Sequence, residues 1–259
     1  MRYLMTIILM ILAAPAVNGE TPEEKGLAIA VAVDRRDTGW IDSRAALKMV
    51  LRNSQGDESE RALRIQTREV AGDGDKSLVV FDAPKDIKGT AFLSFTHALV
   101  PDDQWLYLPA LKRVKRIASA NKSGPFVGSE FAYEDLTSQE VEKYTYKYLR
   151  DESIDGRDCF VVEAYPAYEN SGYTRQIVWI DTAMHRAIRI EYFDRKDTLL
   201  KTLSAEAWKQ YLDSYWRPGL MTMVNHQTGK STSLAWSDYE FRLGLDERDF
   251  DLNTLKRQR

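Results

Sequence analysis

Cysteine is all but missing from this chain of 259 residues: it has one, Cys159, so no intramolecular disulfide can form. Cys159 lies in the apolar run DCFVVEAY with no His or cationic cluster beside it, and reads as a buried small hydrophobe rather than a nucleophile. Histidine is equally sparse. His97, His185 and His226 stand far apart and none has a spacing such as HxxxH, so each reads as structural or surface and no metal site is expected. The chain also lacks GxSxG, a Gly-rich phosphate loop and CxxC, and no catalytic residue can be named. Adjacent acids such as Glu134 and Asp135 read as a solvated face. Positive charge is not in excess: 36 Lys and Arg face 39 Asp and Glu, a net charge of −3, which argues against nucleic-acid binding. No apolar run reaches the roughly 20 residues of a membrane span.

A shorter apolar run is present. After Arg2, residues 4–14 are apolar, and small residues follow at Ala14-Pro15-Ala16 and again up to Gly19. This pattern predicts a secretory signal peptide over residues 1–19, cleaved after Ala16 or Gly19. No cysteine adjoins the cleavage point, so no lipid anchor is expected. The remaining residues, 20–259, read as one domain exported across the inner membrane, which in a bacterium means the periplasm.

That domain opens on a helix signal: Thr21 as cap, Pro22 in the first turn, then Glu23 and Glu24 at the positive end of the dipole. Leu27 and Val31 are its expected apolar side. Strand-like segments then recur, separated by turns such as Gly72-Asp73-Gly74-Asp75 and Asn170-Ser171-Gly172. They cover residues 45–52, 61–70, 77–82 and 90–97, and later 159–165, 175–181, 187–194, 199–208, 216–225 and 231–241. There is no βαβ alternation and no repeat. The expected fold is mainly β (α+β): one large curved antiparallel sheet, a half-barrel, with an N-terminal helix and a loop or helix lid over its concave face.

The stretch 102–148 is central to this reading. It holds a strand with Trp105 and Tyr107 on one face, a basic run (Lys112, Arg113, Lys115, Arg116), a loop rich in Ser, Gly and Asn, and a strand bearing Tyr144, Tyr146 and Tyr148. The basic run reads as a solvated strand edge that blocks edge-to-edge pairing, neutralised by Glu130, Glu134 and Asp135, or as a docking patch for a partner or anionic headgroups. Little in the loop 119–128 would hold it rigid. Phe126 and Phe131 are expected either to cap a cavity as a lid or to serve as plain packing anchors. Phe92, Trp105, Tyr107, Tyr146, Trp179, Trp208, Met221 and Met223 are ordinary core residues or, together, the lining of an apolar cavity.

The runs DKSLVVFDAPKDIKGTAFLSF, DDQWLYLPALKRVKRI, NKSGPFVGSEFAYEDL, GYTRQIVWID and YWRP resemble the outer-membrane lipoprotein-sorting proteins of the LolA-like superfamily, and within it the branch associated with RND/MMPL-type transporters. The resemblance implies a LolA/LolB-like half-barrel closed by helices, with a hydrophobic cavity. It implies a monomeric periplasmic carrier without cofactor or catalysis. Its ligand would be lipid or lipoprotein acyl chains, its partner an inner-membrane RND/MMPL-type transporter, and its contact with membrane surfaces transient. A non-catalytic transporter adaptor and an envelope hydrolase with a scattered site are the alternatives.

Overall fold

The computed structural model describes residues 19–257. The expected signal peptide therefore lies, up to Asn18, outside the described residues. Helix α1 (Pro22–Arg35) starts as a capping box: Thr21 Oγ1 accepts from the Glu24 amide at 3.2 Å and the Glu24 carboxylate accepts from the Thr21 amide at 2.8 Å. The chain then forms β1 (Asp42–Arg52), β2 (Glu58–Arg68), β3 (Lys76–Ala83), β4 (Ala91–Phe95), β5 (Asp103–Leu108) and β6 (Arg113–Ile117). A segment of short 3-10 turns follows, and then β7 (Tyr144–Ile154), β8 (Arg157–Pro166), β9 (Arg175–Asp181), β10 (Arg186–Phe193) and β11 (Leu199–Glu206). A hairpin of β12 (Lys209–Tyr211) and β13 (Tyr215–Arg217) precedes β14 (Leu220–Asn225), β15 (Ser231–Phe241) and a C-terminal helix α2 (Leu252–Arg257).

Thirteen strands make one antiparallel sheet in the order β6-β5-β4-β3-β2-β1-β15-β14-β11-β10-β9-β8-β7, and β12 and β13 pair separately. Two meanders are joined where the last strand returns to the first, from Ser43 opposite Phe241 to Arg52 opposite Ser231. The sheet curves but does not close, with β6 and β7 as its edges. Several strand ends shift by a few residues, and two expected segments change more. The segment 199–208 stops at Glu206, and 216–225 splits at Pro218, because residues 209–217 leave the sheet as their own hairpin. Helix α2 has no counterpart in the sequence reading.

Side chains alternate across each strand, so one sheet carries two sets of apolar residues. Val79 and Phe81 of β3 and Phe92 of β4 point to the inner face, into a core shared with Ile29 of α1, Phe126 and Phe131. Leu78, Val80, Ala91 and Leu93 point outward, under Phe250 and Leu255 of the C-terminal segment. A third cluster, Cys159, Val161, Trp179, Met184 and Ile188, covers the outer face of β8–β10.

Helix α1 packs with the face opposite to the expected one. Leu27 and Val31 are 47% and 41% exposed, whereas Gly26 and Ile29 are buried. The reason is how closely the helix approaches the sheet. A Cβ on Gly26 would lie 2.8 Å from the Tyr148 amide nitrogen and 2.9 Å from that of Lys147, so the bare glycine lets α1 rest directly on the backbone of β7. Lys25 completes this contact, with its Nζ 3.5 Å from the centroid of the Tyr148 ring.

Candidate ligand-binding site

The inner face has a filled half and an open half. The segment between β6 and β7 fills the first. Phe126 (1% exposed) and Phe131 (3%) are buried. The Phe126 ring lies 5.8 Å from Phe81, 5.3 Å from Phe92 and 5.7 Å from Tyr133, centroid to centroid. The sequence leaves little to hold the loop 119–128; in the structure the Val127 carbonyl anchors it, and further polar contacts hold the stretch 130–135 that follows. Arg61 donates to the Val127 carbonyl at 2.6 Å and Gln104 to the Tyr133 carbonyl at 3.1 Å. The Lys201 ammonium meets the Asp135 carboxylate at 2.6 Å and the Glu130 carbonyl at 2.9 Å, and Tyr173 donates to Asp135 at 2.8 Å. Glu134 accepts from the Gly172 amide at 2.8 Å and from Ser171 at 3.0 Å. Glu134 and Asp135 are therefore not a solvated face. Both are buried in these contacts, and burial raises the pKa of Glu134.

The open half lies under α1. A cavity of about 920 Å³ separates the helix from the sheet, near the upper end of the roughly 300–1,000 Å³ of small-ligand sites. Ala30 and Val33 of α1 line its roof, and Val162, Val178, Ile180, Ile190, Leu203 and Met221 line its floor. The floor is apolar because β8, β9 and β10 turn alternate aliphatic side chains to this face, beneath α1.

The rest of the lining mixes apolar and polar side chains such as Trp40, Trp216, Ser138 and Gln139 with a group of charged ones. Asp34 and Asp37 come from the end of α1, Glu69, Asp73 and Asp75 from the β2–β3 connection, and Glu140 and Glu142 from the approach to β7. Several of these are engaged. Glu69 accepts from the amides of Gly39 (2.6 Å) and Ile41 (2.8 Å). Asp73 meets His97 Nδ1 at 2.7 Å and the Ala98 amide at 2.9 Å. Asp37 holds two guanidiniums, Arg186 at 2.7 Å and Arg217 at 2.6 Å. Among the described residues Asp34, Asp75, Glu140 and Glu142 have no salt bridge of this kind. Burial pushes the Asp75 carboxyl up to about 7, with repulsion from Glu140, Glu69 and Asp37 adding to it. Burial likewise raises Glu140 and Asp34, and each is further raised by nearby carboxylates.

Of the residues expected to line a cavity, Tyr146, Trp208 and Met221 do so here. Phe92 and Met223 lie on the inner face, both 0% exposed, inside the packed core. Trp105 and Tyr107 belong to the outer cluster beneath the C-terminal segment, and Trp179 to the outer cluster of β8–β10, so the strand parity turns all three away from the cavity. The sequence reading missed Asp75, Glu140, Arg186 and the buried Trp40. Asp75 stands in a glycine-rich turn motif, and nothing in its local sequence marks it as half-buried.

The basic run lies at the sheet edge. Lys112, Arg113, Lys115 and Arg116 are all exposed along β6 and the turn before it. The acids expected to neutralise it are turned inward, since Glu130 accepts from Asn225 and Glu134 and Asp135 serve the contacts above. Arg116 pairs instead with Asp103 on the neighbouring strand. Leu111, 63% exposed, adjoins the run.

The histidines do not converge. His97 follows β4, His185 lies in the β9–β10 turn and His226 follows β14, and in the sheet order β15, β1, β2 and β3 separate β14 from β4. His226 Nε2 lies 2.7 Å from Thr202 Oγ1, and the His185 ring packs on Phe160. Cys159 is 1% exposed, and burial pushes its thiol up to about 11. Among the described residues no group of three or more His, Cys, Asp or Glu could hold a metal ion, and no helix is long and apolar enough to cross a membrane.

Comparison with known proteins gives a consistent picture. A family model described as "Uncharacterized protein" matches residues 73–257. No curated protein matches the chain. An outer membrane lipoprotein-sorting protein domain from Vibrio parahaemolyticus is 57% identical over 91% of this chain and 100% of its own, with a TM-score of 0.89. A DUF1329 family protein from Desulfovibrio piger is 29% identical over 91% of this chain and 99% of its own, with a TM-score of 0.86. A LolA superfamily protein from Nitrosomonas europaea is 20% identical, covering 88% and 98%, with a TM-score of 0.71, and shares the fold.

Two outcomes follow from this geometry. Replacing Phe126 or Phe131 by Ala lowers unfolding stability by about 3–5 kcal/mol each, as expected of buried aromatic anchors. Nearly unchanged denaturant midpoints with altered ligand exchange would instead make them a gate. Asp75 has a folded pKa above its ordinary value, so it favours the folded state while protonated. That contribution is full below about pH 4 and is lost as pH rises through about 7. Asp75→Asn should remove this decline and raise the melting temperature at pH 8 while changing it little at pH 4. An equal effect at both pH values would count against a buried, repelled carboxylate.

Proposed function

The chain belongs to the outer-membrane lipoprotein-sorting protein family and has the LolA-superfamily fold, and from this we propose that it carries a hydrophobic ligand, lipid or lipoprotein acyl chains, in the cavity beneath α1. The single observation that carries the reading is a cavity of about 920 Å³ with an aliphatic floor on an otherwise well-packed sheet. An acyl chain laid on this floor would be stabilised by about 0.8 kcal/mol for every CH₂ it buries. Tyr146, Trp208 and Met221 are the ligand-contacting residues carried over from the sequence expectation.

In the full reading residues 1–19 are removed as a leader and residues 20–259 work as a periplasmic monomer. The carrier receives its ligand from an inner-membrane RND/MMPL-type transporter and delivers it to the outer membrane. The exposed basic edge of Lys112, Arg113, Lys115 and Arg116 is the docking surface for that transporter, in passing contact with the membrane.

The cavity is tested with a neutral fluorescent apolar probe, N-phenyl-1-naphthylamine, and by native mass spectrometry of protein taken from the envelope. Saturable probe binding and co-purifying lipid are expected. Met221→Glu, which puts a charge on the floor, should weaken probe binding by about tenfold or more with little change in melting. Absence of probe binding to the unaltered protein, together with ligand-free mass spectra, would overturn the carrier reading. The docking surface is tested by changing the four basic residues to Glu. Capture of an RND/MMPL-type transporter from solubilised membranes should be lost while probe binding stays, and unaltered capture would remove the patch from the proposal.

A further inference from the structure

The charged lining of the cavity is more polar than an acyl chain requires, and its charges are unevenly matched. Asp34 lies exposed at the end of α1, while Asp75 and Glu140 are half-buried. Among the described residues none of the three forms a salt bridge, and Glu140 accepts from the Ser138 hydroxyl. The nearby lysine, Lys143, is held by Asp102 at 2.6 Å. Of the other acids in the lining, Glu142 is exposed and has no salt bridge among the described residues, while Glu69 is held by two amides, Asp73 by His97, and Asp37 by the two arginines.

Two features independent of the carboxylates mark this as a ligand site. One is the aliphatic floor beneath them. The other is Arg186, which lines the cavity, is 6% exposed, and has an Nε with no hydrogen-bond partner among the described residues. Arg186 and Arg217 share the single carboxylate of Asp37, leaving one positive charge in excess beside these acids.

We propose that the cavity selects an amphiphile bearing a protonated amine, with its chains along the aliphatic floor and its ammonium against Asp34, Asp75 and Glu140. The inference rests on the carrier reading and names the headgroup class that such a carrier takes. An ammonium relieves the repulsion among these carboxylates, which no salt bridge neutralises among the described residues, whereas a carboxylate or bare phosphate adds to it. The amine could belong to a simple cationic amphiphile or to a zwitterionic headgroup, whose phosphate would answer the excess charge of Arg186 and Arg217. The raised pKa values of Asp34, Asp75 and Glu140 agree with a site waiting for a cation. The groups facing these three are Glu69, Asp37, Glu142 and Lys143, with His97 held on Asp73 behind them.

The test is displacement of N-phenyl-1-naphthylamine at pH 8 by four compounds of equal chain length: hexadecylamine, hexadecylphosphoethanolamine, hexadecanol and hexadecanoate. The two amines should displace the probe at about tenfold lower concentration than the alcohol, and hexadecanoate should be weakest. A zwitterion stronger than the simple amine assigns the phosphate to the arginines, and the reverse order assigns the site to a plain cation. The triple variant Asp34→Asn, Asp75→Asn, Glu140→Gln should erase the amine-over-alcohol preference and keep probe binding. The unaltered protein at pH 5 should show a reduced preference, which makes the test independent of how the variant folds. Hexadecanoate matching hexadecylamine, or a preference that survives in the triple variant, would overturn the inference and leave the carrier standing. Failure of the probe to bind at all would overturn both.

Discussion

A buried ion pair sets the layout of the inner face. Lys201 of β11 and Asp135 of the segment before β7 are 4% and 3% exposed at their side chains, and they meet at 2.6 Å. Two charges taken so far from water need close to full satisfaction. Lys201 also donates to the Glu130 carbonyl, and Asp135 also accepts from Tyr173 and the Ala132 amide. Removing either partner would leave an uncompensated charge in the core. The pair therefore fixes the segment 119–141 at one place on the sheet, and the buried Phe126 and Phe131 follow from that placement.

With one half of the face filled, the void is confined to the half under α1. Gly26 seats the helix on β7, while Ala30 and Val33 stop short of the floor. The Arg186–Asp37–Arg217 cluster ties the helix end to β10 and β13, since Arg186 also donates to the carbonyls of Val33 and Arg36. The helix is thus held at both ends over a cavity it does not fill. One half of the inner face is thus packed by the segment 119–141, and the other lies open beneath α1.

The architecture was legible because strand parity and turn chemistry are local. The run 61–70 alternates, Thr21-Pro22-Glu23-Glu24 starts a helix, and glycine-rich turns mark the hairpins, so the antiparallel sheet and its N-terminal helix could be read directly. The cavity lining was legible only in part. Tyr146, Trp208 and Met221 are placed in it, but Trp105, Tyr107 and Trp179 are equally aromatic and equally strand-borne and face the other way. Parity within a strand says which residues share a face. It does not say which face is covered by α1 and which by the C-terminal segment, because that depends on contacts distant in sequence.

The sequence by itself determined the class of the protein: a long antiparallel sheet, one helix at its start, no cysteine or histidine constellation, and motifs resembling one family of carriers. Those features follow from residue type, period and short spacing. The tertiary structure decided where the empty space lies and what lines it. Glu134 and Asp135 read as a solvated pair and are buried as anchors. Asp75 reads as a turn residue and is half-buried, with burial pushing its carboxyl up to about 7. Leu27 and Val31 read as the buried side of α1 and face solvent. In each case the environment is set by a partner tens to hundreds of residues away, and a charge or a methyl group has no environment until the fold supplies one.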